Sequence, residues 1–118
     1  MIKEVAFVAI AVSDAERARK FYQETLELKP ATTAMEGAWV EYELGATTIG
    51  VGSHPAWKPS RDGTTVAFEV QNIDDAIKKL KERGVTFDIE KTETPVCWMA
   101  QFRDPDGNKL LIHKRKKK

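Results

Sequence analysis

The chain carries the same structural pattern twice, and that repetition limits what it can fold into. Residues 5–12 (Val-Ala-Phe-Val-Ala-Ile-Ala-Val) have the composition of a strand buried on both faces. Ser13 and Glu16 follow at capping-box spacing. Ala15, Ala18, Tyr22 and Leu26, with Phe21 and Thr25 beside them, then predict a helix from about residue 14 to 27. After Pro30, Trp39–Leu44 and Thr47–Gly52 read as antiparallel neighbours around Gly45-Ala46. The pattern restarts at Thr65–Val70. Asn72 is placed to cap a helix faced by Ile73, Ala76, Ile77 and Leu80, and Gly84 to terminate it. Val85–Ile89, Val96–Arg103 and Lys109–Lys114 read as the closing strands. At a shift of about 58 residues, Val12 falls on Val70, Ala18 on Ala76, Tyr22 on Leu80 and Phe7 on Thr65. Allowing a few loop residues, Ile49-Gly50-Val51 corresponds to Leu110-Leu111-Ile112. Few residues are identical across this overlay, so what repeats is the order β-α-β-β-β.

The expected fold class is therefore α+β. Two βαβββ modules, about residues 3–53 and 64–114, are joined by a Pro-, Gly- and Ser-rich linker over about 53–64. A mixed sheet curled into an open cup, with both helices outside, accommodates them in one domain. Strand alternation then sorts the side chains. Val8, Ile10 and Val12 pack under the helix, while Phe7, Ala9 and Ala11 face the cup. Thr65, Ala67 and Glu69 face it from the second module, joined by Cys97, Met99 and Gln101 and by Lys109, Leu111 and His113.

A length of 118 residues suits one domain, with 42% hydrophobic and 31% charged residues. A formal charge of +1 creates no global field to recruit nucleic acid or anionic membrane, so neither is an expected partner. Lys114-Arg115-Lys116-Lys117-Lys118 reads as a solvated tail. No apolar run is long enough to span a bilayer, and no signal-peptide pattern is present. Cys97 is the only cysteine, which makes a reducing, cytoplasmic setting the expectation.

The sharpest local motif is Phe102-Arg103-Asp104-Pro105-Asp106-Gly107-Asn108-Lys109-Leu110-Leu111-Ile112-His113. Asp104 opens a turn, Pro105 presets φ at its second position, and Gly107 supplies a positive φ at its close, which predicts a tight β-hairpin. Together with Val12-Ser13-Asp14, Arg17-Ala18 and Phe21-Tyr22, backed by Leu26 and Leu28, this motif resembles the vicinal oxygen chelate superfamily. That superfamily includes glyoxalase I, extradiol dioxygenases and bleomycin-resistance proteins. The resemblance covers nearly the whole chain. Glu27 departs from it, standing where many members have a helix-ending glycine.

The resemblance implies a divalent ion held by residues from the first and last strand of each module. Carried over by the motifs, those positions are Phe7, Gly50, Thr65 and Leu111. None offers an imidazole, thiolate or carboxylate; Thr65 offers only a weak neutral oxygen. The expectation is a member without its usual metal or any other cofactor, and without metal-dependent glyoxalase or dioxygenase activity. The resemblance also implies a homodimer.

Other residues carry both a functional and a plainer meaning. Glu69 lies in the otherwise apolar run Val66-Ala67-Phe68-Glu69-Val70; in an apolar cavity its pKa would rise and it could shuttle protons, whereas at a rim it would simply reach water. His113 shares the face of Leu111 and is either a general base or a strand-end histidine beside the basic tail. His54 reads as a solvated linker residue. Trp39 and Trp57 suit the walls of a flat ligand site or a dimer contact, and Trp98 suits the core. Cys97 reads as a small apolar residue. Glu41 and Glu43 share a face, either cup or solvent.

Three functions fit. The first is a metal-independent protein that binds a small organic molecule through Phe7, Trp39, Gly50, Thr65 and Glu69, with Met99, Gln101, Leu111 and His113. The second is a lyase or isomerase using Glu69 or His113 as acid or base. The third is a regulatory module whose cup is plugged by Phe7, Met99 and Leu111.

Overall fold

The apolar run near the N-terminus forms β1 (Val8–Ala11) in the computed structural model, which describes residues 1, 3 and 5–116. Ile10 and Val12 are buried on one side of this run, whereas Ala9 and Phe7 are exposed on the other. The first helix, α1 (Ala15–Arg19), starts from Asp14 and not from the expected Ser13. Asp14 is extended, and its carboxylate accepts the Arg17 amide at 3.1 Å. A carboxylate at this position also meets the positive end of the helix, which favours it over the neighbouring hydroxyl. Ser13 Oγ instead accepts from the Arg17 guanidinium at 3.3 Å.

The helix does not continue as α to residue 27. From Lys20 to Thr25 it widens into a π-helix, and the Leu26 amide donates to Phe21 O at 3.0 Å. Glu27 ends it with φ 63°, a left-handed conformation a glycine would adopt without strain, while the Leu28 amide closes on Tyr22 O. Ala18 and Tyr22 are buried toward the sheet, where Tyr22 stacks on Tyr42 and Gln23 donates to the Tyr42 hydroxyl at 3.1 Å.

Three further strands complete the expected βαβββ order: β2 (Pro30–Ala34), whose residues the sequence pattern left unassigned, then β3 (Trp39–Leu44) and β4 (Thr47–Gly52). β2 is exposed along most of its length, so it lacks the apolar alternation that marks a half-buried strand. The order is β1-β4-β3-β2. β1 is parallel to β4 and the other pairs are antiparallel. Residues up to Pro59 form this first unit, and those from Ser60 form a second.

The second unit repeats the topology with β5 (Val66–Glu69), α2 (Ile73–Glu82), β6 (Phe87–Glu93), β7 (Cys97–Arg103) and β8 (Lys109–Arg115), in the order β5-β8-β7-β6. Again the first and last strands are parallel. Asn72 caps α2 by accepting the Asp75 amide at 3.0 Å, and Gly84 leaves it at φ 89°. β6 runs later than the expected 85–89. Register matches the two modules residue for residue: Ala9 lies opposite Gly50, and Ala67 opposite Leu111.

The β7–β8 hairpin is tied by a buried carboxylate. Asp104 Oδ1 accepts the amides of Asp106 and Asn108, both at 2.9 Å, and Oδ2 accepts Asn108 Nδ2 at 2.8 Å. Gly107 takes φ 86° and donates its amide to Asp104 O. Lys117 and Lys118, part of the expected tail, lie outside the described residues. Asp104→Ala would strand several donors in a protein-lined turn. The expected cost is about 2–4 kcal/mol, read as a lowered urea midpoint; an unchanged midpoint would show that the turn does not need this anchor.

Candidate functional site: an aromatic surface on the first sheet

Strand alternation gives the first sheet two faces, one buried under the helix and one bearing Ala9, Trp39, Glu41, Gly50 and Gly52. β4 reads Ile49-Gly50-Val51-Gly52, and its two glycines both lie on this second face. They remove every side chain from the strip beside Trp39. The Trp39 indole fills that strip: a methyl group at residue 50 would overlap its benzo ring, and one at residue 52 would come within 2.6 Å of it. Phe7 meets Trp39 at a ring separation of 5.1 Å and 68°, and Trp57 meets it at 5.8 Å and 71°. His54 lies 5.8 Å from the Trp57 ring, and its Nδ1 accepts the Ala56 amide at 3.0 Å. The indole N–H of Trp39 donates to Glu41 Oε2 at 2.9 Å, fixing the ring's orientation. Phe7 and Trp57 remain 43% and 40% exposed. The result is a solvent-reachable aromatic surface with a carboxylate at its edge.

This geometry bears on the expected ion positions. Phe7 contributes a hydrocarbon ring, and Gly50 lies under Trp39, which occupies the volume a side-chain donor would need. In the second module Thr65 precedes β5, and Leu111 sits opposite Ala67 and Gln101. Among the described residues, no group of three or more His, Cys, Asp or Glu side chains is arranged to hold a metal ion. The donor set does not fit a divalent cation.

The second sheet brings other predicted residues together. Glu69 lies opposite His113 across the parallel β5–β8 pair, and His113 lies opposite Met99 across β7. Gln101 lies opposite Leu111. Glu69 Oε1 and His113 Nδ1 are 2.6 Å apart, and Glu69 Oε2 accepts the Arg115 amide at 2.9 Å. β5 ends at Glu69 while β8 runs on to Arg115, so the carboxylate takes the place of a missing strand partner. Of the two readings of Glu69, a raised pKa in an apolar cavity and a carboxylate at a rim, the geometry goes with the second. Desolvation pushes it up, but the Arg115 amide, the His113 hydrogen bond and the charges of His113 and Arg115 together bring it below the ordinary glutamate value. Cys97 is buried, with its sulfur 3.2 Å from Thr94 Oγ1. Trp98 is half-buried, not fully in the core, with the Lys116 ammonium 4.9 Å from its ring centre.

The role of Gly52, and of Glu41 as the partner of Trp39, was not evident in the sequence. The available signal was the Gly-Val-Gly of β4 facing the Trp-Val-Glu of β3, readable only once their register is known.

A model of the Glyoxalase/Bleomycin resistance protein/Dioxygenase superfamily matches residues 4–112. The uncharacterized protein YetH of Bacillus subtilis (strain 168) is 28% identical over 120 residues, covering 95% of this chain and 98% of YetH. The anthracycline biosynthesis protein DauV of Streptomyces sp. (strain C5) is 31% identical over 108 residues, 87% of this chain but 38% of DauV. The crystal structure of TnmS3, an antibiotic binding protein from Streptomyces sp. CB03234, is similar with a TM-score of 0.79 at 25% identity, covering 98% of each chain. No described helix is long and apolar enough to cross a membrane.

Two measurements follow from the geometry. Gly50→Ala forces Trp39 to move and is expected to cost about 1–3 kcal/mol in chemical denaturation, with much of that loss absent in a Trp39→Ala background. Additive losses would show that residue 50 and the indole do not compete for space. The second concerns pH. A depressed folded pKa means that Glu69 stabilises above its unfolded value near 4.5, and that this contribution fades as pH falls through the lower folded value. The melting-temperature gap between wild type and Glu69→Gln is therefore expected at pH 6 and should shrink as pH is lowered below the ordinary glutamate range. A gap that does not change with falling pH would contradict the assignment.

Proposed function

The chain belongs to the Glyoxalase/Bleomycin resistance protein/Dioxygenase superfamily, and we propose that it binds a small organic molecule, holding a flat ring system against Trp39, Phe7 and Trp57. The observation that carries this is the glycine-backed indole. Gly50 and Gly52 leave the strip empty of other side chains, Trp39 covers it, and the flanking rings stay exposed. Aromatic rings bring large contact area with few rotatable bonds, so they hold a flat ligand with little ordering cost. The antibiotic-binding description of TnmS3 and the anthracycline pathway of DauV fit a ligand of this shape. A plugged interior, as in a purely regulatory module, is disfavoured in the first module by the exposure of Phe7 and Trp57. The Glu69–His113 pair has a sufficient structural explanation in holding the ends of β5 and β8, and the binding role does not draw on it. A cytoplasmic homodimer, implied by the single cysteine and the family resemblance, belongs to the same proposal.

Phenazine, a neutral three-ring compound, is a suitable probe in isothermal titration calorimetry. Saturable binding is expected, and Trp57→Ala should weaken it by about tenfold with the circular-dichroism spectrum preserved. Equal binding by wild type and Trp57→Ala would overturn the proposal.

A further inference from the structure

We propose that the ligand class preferred by this aromatic surface is planar and positively charged, an aromatic ring system bearing a protonated nitrogen. This rests on the binding role proposed above and adds the sign of the ligand's charge. From Pro30 through Trp57 the sequence holds Glu36, Glu41 and Glu43 and no lysine or arginine. Register places Glu41 opposite Gly50 and Glu43 opposite Thr48, on the face that carries Trp39. Every strand of the first sheet lacks a basic residue, and the carboxylates make no ion pair among the described residues; the exposed Lys58, next to Trp57, lies outside the sheet.

Glu41 is more than a nearby charge. Its Oε2 is fixed by the Trp39 indole N–H, which holds the carboxylate at the ring edge. Among the described residues Oε1 has no hydrogen-bond partner. A flat cation laid on Trp39 would meet the negative face of the indole and, at its rim, a fixed acceptor. A neutral ring of the same size would gain only the area, and an anion would be repelled. The corresponding face of the second sheet has no such bias, because Lys109 lies opposite Arg103 and His113 lies beside Glu69. The preference is therefore a property of the first module and not of the near-neutral chain.

Calorimetric titration with proflavine, cationic at pH 7, and with neutral phenazine separates this inference from the one beneath it. Proflavine is expected to bind about tenfold more tightly at 50 mM salt, and the ratio should fall toward one at 500 mM salt. Glu41→Gln keeps an oxygen for the indole N–H but removes the charge, and should narrow the same ratio at low salt. Equal affinity for the two probes, or a ratio insensitive to both salt and Glu41→Gln, would overturn the charge preference while leaving the aromatic surface standing. Binding of neither probe would overturn both. The salt series uses the unaltered protein, so the charge preference is tested even where the variant folds poorly.

Discussion

Trp39 lies across two residues that have no side chains, and the character of the first module depends on that contact. A pleated strand normally presents a side chain every second residue on a given face. At Gly50 and Gly52 it presents none, so the indole can settle directly on the backbone of β4. Phe7 and Trp57 then have a ring to pack against, and Glu41 has an indole N–H to hold. A glycine inside a strand, as at position 50, weakens it locally, and here its place on the face is taken by the indole.

The same contact bears on the positions at which the family resemblance would place metal donors. Position 50 lies opposite Ala9 in the first module as position 111 lies opposite Ala67 in the second. In the first module the freed space is filled by tryptophan, and in the second by a leucine beside Gln101. The two modules keep one topology and have diverged in what their open faces display. One is aromatic and acidic. The other is mixed and basic, with a carboxylate enlisted to finish a strand.

The topology was legible because it rests on periodicity and punctuation. Asn72, Gly84 and the Asp104–Gly107 turn each act through local backbone chemistry, and each does what its residue type requires. The repeat called for β2, but its residues were not legible, since Pro30–Ala34 is largely exposed and owes its extended form to pairing with β3. Asp14 displaced Ser13 as the cap because two adjacent residues could both perform the task. Alternation left Glu69 between cavity and rim, because the direction of its pKa shift depends on the Arg115 amide, which lies 46 residues away. At the aromatic site, Trp39 and Gly50 were singled out separately. Their contact, with Gly52 and Glu41 completing it, depends on the β3–β4 register, which alternation leaves open by one residue.

The chain has three tryptophans, two in the aromatic surface and one, Trp98, in the second module, so the indole N–H signals report on the site with a built-in control. An amide and indole correlation NMR titration with a planar aromatic probe tests the central claim most directly. The account predicts saturable ring-current shifts at the Trp39 and Trp57 indoles with the Trp98 indole unmoved. Shifts at Trp98 alone, or no shift at any of the three, would contradict it.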